Sequence, residues 1–180
     1  ISKSIERNQD FFTHYSDRIH IISNGFSDFI KPIVTEFGVK PENVHANTFQ
    51  YDLEGKIVGF DKQNPLSESG GKVKVIEKLN FGDAEIEVIG DGYNDYEIKK
   101  AGVADKFYLF TENVEREAVV PKADHITPTF DEFLYVNDLP RKFSFPKNRI
   151  KVLLLENIHQ DAATTFSAEG YQVETVSSAM

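Results

Sequence analysis

Glu87-Val88-Ile89-Gly90-Asp91-Gly92-Tyr93-Asn94-Asp95 decides the fold: an apolar run of the kind buried in a parallel sheet passes directly into a glycine-rich turn with two carboxylates four residues apart. A strand ending in Val88-Ile89 fixes the turn at the sheet edge. Gly90 and Gly92 permit backbone conformations and ligand approaches that a Cβ would obstruct. Asp91 and Asp95 offer hard oxygen donors, which suit a small divalent cation that keeps several waters and bridges to phosphate. The plainer reading of the same string is a strand-to-helix loop with an Asp or Asn helix cap.

Two upstream segments carry related chemistry. His20-Ile21-Ile22-Ser23-Asn24-Gly25-Phe26 is a short apolar strand ending in a small polar turn. The Ser23 hydroxyl and the backbone N–H groups around Asn24 and Gly25 can donate to phosphate oxygens, helped by the positive end of the helix that follows. That helix is marked by Phe26, Phe29, Ile30, Ile33, Val34 and Phe37 at helical spacing, with Gly38 as its stop. Pro32 is tolerated only within a first turn, so the helix is expected to begin between Ser27 and Phe29. The third segment, Ser69-Gly70-Gly71-Lys72, precedes Val73, Ile76 and Leu79, which puts Lys72 at a helix N-terminus. A lysine gains nothing from the dipole there, but an anion held between the two is attracted by both. Taken singly, Ser23 reads as a cap and Lys72 as a surface lysine.

In this order and spacing the three segments resemble the haloacid dehalogenase-like phosphohydrolases, most closely the phosphoserine phosphatase branch, over roughly Arg18 to Leu134. The resemblance implies phosphate binding by Ser23, Asn24 and the Gly25 turn. It gives Lys72 the role of stabilising the phosphorylated nucleophile, Asp91 and Asp95 that of holding magnesium, and Asn94 a place near the phosphate. Ala46-Asn47, followed by Thr48-Phe49-Gln50-Tyr51 and a turn at Glu54-Gly55, is similar to the segment of that branch that leads into a β-hairpin. The family's nucleophile lies in a DxDx(T/V) motif on the first strand, upstream of the Ser turn, and that string is absent from these residues. Asp52-Leu53-Glu54 and Asp83-Ala84-Glu85 are the nearest carboxylate pairs, both in turn-like contexts after the Ser motif. The chain is therefore expected to be a fragment lacking the nucleophile strand and most of the cap, and inactive by itself.

The other end resembles a different family. Ile150-Lys151-Val152-Leu153-Leu154-Leu155 reads as a strand, Glu156 to Ala162 as a turn entering a helix through Phe166 that Gly170 closes, and Tyr171 to Val176 as a second strand. Together they form the start of a βαβ unit. The wording is similar to the opening of D-3-phosphoglycerate dehydrogenases. NAD would belong only to the dehydrogenase part missing beyond Met180. Such a pairing would join two steps of serine biosynthesis. His159 reads as a turn residue.

The expected architecture is α/β: a three-layer parallel sheet with a β-hairpin flap over Val44 to Asp61, plus a C-terminal partial βαβ unit. Expected strands at Ile19 to Ile22, Glu85 to Ile89, Lys106 to Phe110 and His125 to Thr127 alternate with helices after Ser27, Lys72, Asn94 and Thr129; Ile5 to Tyr15 reads as a polar helix. Residues 1–137 form the phosphatase-like core, 138–149 a Pro- and Lys/Arg-containing linker, and 150–180 the dehydrogenase-like start. A net charge of −9 argues against nonspecific nucleic-acid binding, and no apolar stretch is long enough to cross a bilayer. Zero Cys excludes disulfides and thiolate metal sites and is compatible with the cytoplasm, the expected location. The five His residues lack zinc-type spacing. The expected partner is a small phosphorylated metabolite, with self-association through residues 150–180. The phosphorylation region of a cation-pumping ATPase also carries a GDGxND string, but no transmembrane segment or phosphorylation motif supports it here; the alternative kept is an NAD-dependent oxidoreductase whose phosphatase-like part is a regulatory phospho-ligand binder.

Overall fold

The structure, a computed structural model, describes residues 1–155 and 158–176. Its elements run α1 (Lys3–Arg7), α2 (Gln9–His14), β1 (Ile21–Phe26), α3 (Ser27–Glu36), β2 (Val44–Asn47), β3 (Phe49–Tyr51), β4 (Ile57–Phe60), α4 (Gly71–Leu79), β5 (Glu87–Gly90), α5 (Tyr93–Lys100), β6 (Lys106–Phe110), β7 (His125–Thr127), α6 (Phe130–Val136), β8 (Lys151–Leu154), α7 (Gln160–Ala168) and β9 (Gln172–Thr175). The chain divides into two compact units, Gln9–Ile126 and Ile1–Asn8 with Thr127–Met180. Residues 138–149, expected as a linker, fall inside the second.

In the Gln9–Ile126 unit the expected single sheet is present as two parallel pieces. β1 pairs with β2 in parallel, Ile21 opposite Val44 and Ile22 opposite His45. β5 pairs with β6 in parallel, Val88 opposite Phe107, and β7 continues that sheet. Ile22 of β1 and Val88 of β5 nevertheless pack on one core of Ile76, Ile98 and Ala104, supplied by α4, α5 and the turn after α5. A second cluster, Phe107, Leu109 and Val119, is also packed by Val88.

The expected hairpin proves shorter than Val44 to Asp61. Residues 44–47 are β2, a neighbour of β1, and only β3 and β4 form the antiparallel hairpin, with Gly55 in its turn at φ 79°. A period-two pattern looks alike in both pairings, so the sequence did not separate them. α3 begins at Ser27 as expected, but Pro32 lies beyond its first turn. Gly38 ends the helix at φ 93°, where Thr13 Oγ1 would stand 2.5 Å from an added Cβ.

The other unit joins α1 to α6. Asp131, buried on α6, receives Arg7 and the Asn8 side chain, the latter at 2.8 Å. Glu132, 3 % exposed, receives the Arg149 guanidinium. Thr129 caps α6 by accepting the Glu132 N–H at 3.3 Å. β8 and β9 pair in parallel around α7, which gives the expected βαβ order. Glu156 and Asn157, part of the expected turn, lie outside the described residues.

Candidate functional site

The geometry starts at Gly90, the last residue of β5. A Cβ there would fall 2.2 Å from Asp95 Cγ and 2.3 Å from its Oδ2, so only glycine lets the Asp95 carboxyl group lie against the strand end. From that seat Asp95 Oδ2 accepts the Gly92 N–H at 3.0 Å, capping α5, while Oδ1 accepts from Lys72 Nζ at 2.6 Å. The capping reading and the site reading of GDGYND thus describe the same carboxylate. The pair is largely withdrawn from water, with the Lys72 and Asp95 side chains 15 % and 12 % exposed. Lys72 sits in the first turn of α4, where the helix dipole disfavours a cation, and Asp95 offsets that cost.

What positions Lys72 is a second glycine. At Gly71 a Cβ would lie 1.9 Å from the Pro65 carbonyl oxygen, so the start of α4 is pressed onto the 65–66 backbone. The next carbonyl, that of Leu66, accepts from Asn24 Nδ2 at 2.7 Å and from Asn47 Nδ2 at 3.0 Å. Asn47 Nδ2 also donates to the Asn24 carbonyl at 2.8 Å. Asn47 is buried, and its Oδ1 is without a hydrogen-bond partner among the described residues. Ser23 Oγ accepts the Gly25 N–H at 3.0 Å, which shapes the turn at the end of β1. Gly25 and the Ser23 turn are thereby linked through Asn24, Leu66 and Gly71 to Lys72, Asp95 and the end of β5.

Asp91 takes a different position from Asp95. Its side chain is 49 % exposed, and Arg116, from the segment after β6, donates through Nε to the Asp91 carbonyl at 3.1 Å and through a terminal nitrogen to Oδ2 at 3.0 Å. Asn94 is exposed beside it. Asp91 is thus the accessible carboxylate of the turn, while both Asp95 oxygens are engaged inside the protein. Among the described residues no group of three or more His, Asp or Glu side chains could hold a metal. The single accessible carboxylate, Asp91, still fits magnesium, which is commonly held by one or two carboxylates plus waters and phosphate oxygens.

Just before β1 and within β2, His20 Nδ1 and His45 Nε2 stand 3.3 Å apart with stacked rings, and Phe81 meets His20 edge-on. Burial depresses the pKa of both, and His45 depresses that of His20 further.

Arg116 and the Leu66 carbonyl were not singled out from the sequence. Arg116 sits in a loop without a pattern, and a backbone oxygen carries no residue signature. Asn47 was visible only as part of the Ala46-Asn47 step. Among the described residues no helix is long and apolar enough to cross a membrane.

No family model matches the chain. It is 35 % identical over 118 residues to the chloroplastic phosphoserine phosphatase of Arabidopsis thaliana, spanning 64 % of this chain and 40 % of that protein. With the phosphoserine phosphatase of Homo sapiens the identity is 35 % over 136 residues, 74 % of this chain and 56 % of that protein. The chain therefore spans about half the length of the curated phosphatases it matches. A shorter likeness, 57 % over 37 residues, relates 21 % of this chain to 9 % of a D-3-phosphoglycerate dehydrogenase of Dictyostelium discoideum. Among solved structures, a phosphoserine phosphohydrolase-like protein from Francisella tularensis superposes with a TM-score of 0.66 at 26 % identity, covering 76 % of this chain and 62 % of that one. With Gly90, Asp95 and Lys72 locked together behind Asp91, this chain is similar in sequence and fold to the haloacid dehalogenase-like phosphoserine phosphatases, and in a short stretch to a D-3-phosphoglycerate dehydrogenase.

Proposed function

We propose that this chain carries the phosphate- and magnesium-binding half of a phosphoserine phosphatase site and lacks the attacking carboxylate. The Lys72–Asp95 pair, seated on Gly90 at the carboxyl end of β5, carries this reading. Ligands of parallel α/β sheets bind beyond the carboxyl ends of the strands. Asp91 would hold magnesium together with waters and the phosphate oxygens; Asp95, expected as a second ligand, serves in this geometry as the anchor of Lys72. Bound there, magnesium supplies positive charge to the phosphate oxygens. Lys72 adds a fixed cation whose position is set before the ester arrives, so little reorganisation is needed as charge builds. The Ser23 hydroxyl accepts from Gly25 and still has its own proton to donate to a phosphate oxygen.

The sheet supports the incompleteness. Among the described residues β1 pairs only with β2 and β5 only with β6 and, through it, β7, yet Ile22 and Val88 share one core. In this reading a further strand, bearing the attacking acid, completes the sheet between β1 and β5. The proposed setting is cytoplasmic serine biosynthesis, in a phosphatase–dehydrogenase fusion, with a small phosphorylated metabolite as ligand and NAD used only by the dehydrogenase part. A second reading, favoured by the dehydrogenase-like stretch, makes the parent an NAD-dependent oxidoreductase in which this site senses a phosphorylated ligand.

The test is L-phosphoserine hydrolysis with magnesium, run beside binding of inorganic phosphate followed by phosphorus NMR. The expected result is background turnover with phosphate binding that Lys72→Ala abolishes. Steady magnesium-dependent turnover that vanishes in Asp91→Asn would overturn the missing-carboxylate reading.

A further inference from the structure

Arg116 is the cation at this turn that the proposed chemistry leaves unassigned. It grips Asp91 at two points, the backbone carbonyl through Nε at 3.1 Å and carboxylate Oδ2 at 3.0 Å. A guanidinium suits this task because its fork offers parallel N–H groups in a fixed plane, which a lysine does not. The segment that carries it is pinned just downstream: the Arg116 carbonyl accepts from the Val119 N–H at 2.8 Å, and Val119, 3 % exposed, is packed with Phe107 and Leu109. The Arg116 side chain itself is 52 % exposed, so the contact with Asp91 can be broken without disturbing that core.

We infer that Arg116 is a positioning residue for Asp91: a latch that holds the carboxylate when no metal is bound and competes with magnesium for it. The inference rests on the reading of Asp91 as the magnesium ligand. A guanidinium and a divalent cation on one carboxylate repel each other across a few ångströms, and magnesium further demands a near-ideal octahedral arrangement around itself. Cation entry therefore releases Arg116, and the loop ahead of Val119 moves with it. In the latched state the turn is neutralised in advance, so an anionic ester meets no bare carboxylate before magnesium arrives.

The test follows magnesium titrations by nitrogen-15 NMR of the full chain, wild type beside Arg116→Ala, Arg116→Lys and Asp91→Asn. Two signals are read: the backbone amides of Gly90 to Asn94, and the Arg116 Nε–H. The expected result is loss of Nε–H protection with the same midpoint as the amide shifts. Arg116→Ala should bind magnesium about two- to fivefold more tightly, the scale of an exposed ion pair. Arg116→Lys, which keeps the charge but not the fork, should fall between that variant and the wild type. A protected Nε–H at saturating magnesium, or unchanged affinity in Arg116→Ala, overturns the latch while leaving the metal site standing. Absence of amide shifts at Gly90 to Asn94 in wild type and Arg116→Ala alike overturns the metal reading and the latch with it.

Discussion

Gly90→Ala tests the joint on which the site turns. The residue has no positive φ, so the substitution is felt only through the new methyl group, which would stand 2.2 Å from Asp95 Cγ and 2.6 Å from its Cβ. Neither atom is the far end of a flexible chain; Asp95 must leave its seat. It then gives up the Gly92 N–H at 3.0 Å and Lys72 Nζ at 2.6 Å. A hydrogen bond to a charged group contributes about 1.5–3 kcal/mol, and a strained insertion costs about 1–3 kcal/mol. Stiffening the unfolded chain returns about 0.4–1 kcal/mol. With both bonds lost, the net expectation is a loss of about 3–8 kcal/mol, measured by urea unfolding followed by far-ultraviolet circular dichroism. A double-mutant cycle isolates the cause: with Asp95→Gly already in place, Gly90→Ala should cost under about 1 kcal/mol, because the carboxyl group and the Cβ it strikes are both gone. If Gly90→Ala is as damaging beside Asp95→Gly as alone, the clash does not involve Asp95 and the account of the seat is wrong.

Arg7→Met should destabilise the α1–α6 unit by about 2–4 kcal/mol, because it leaves the fully buried Asp131 carboxylate with Asn8 alone; adding Asp131→Leu should recover most of the loss in the same urea experiment. His20 and His45 are held below the ordinary value of 6.5, so the unfolded chain binds protons that the folded one refuses. Their contribution is complete above that value and declines as pH falls through it; His45→Gln should flatten the stability profile between about pH 7.5 and 5, and an unchanged slope would dissociate the pair from it. Leu153 and Leu155 are 52 % and 59 % exposed on and beside β8, and the proposed self-association through residues 150–180 predicts that Leu153→Glu lowers the sedimentation mass toward that of one chain. An identical mass before and after would remove that proposal.

Strand-to-helix switches were legible wherever apolar runs met glycine, which is why β5, α5 and β6 fall where the pattern puts them. The Lys72–Asp95 contact agrees with the motif order, since a buried cation at a helix N-terminus needs a carboxylate and GDGYND supplies one. Which of two carboxylates is engaged and which is open was not legible. That depends on Gly90 being close enough to strike Asp95, a distance that spacing does not encode. The partition of residues 44–60 between a parallel strand and a hairpin likewise depends on partners far along the chain. The break of the expected N-terminal helix into α1 and α2 follows Asn8, whose side chain is spent on Asp131 and the Ser4 carbonyl.

The Leu66 carbonyl has a consequence for how this sequence can drift. Both of its lone pairs are taken, by Asn24 and Asn47, and no side-chain replacement at position 66 can remove that acceptor. Selection can act on the junction only through the two amides. Losing either one still leaves the other in register, whereas losing both frees the Ser23 turn from the start of α4. In a saturation library the two positions should therefore tolerate change singly better than together, a pairwise signature written by an atom that no codon specifies.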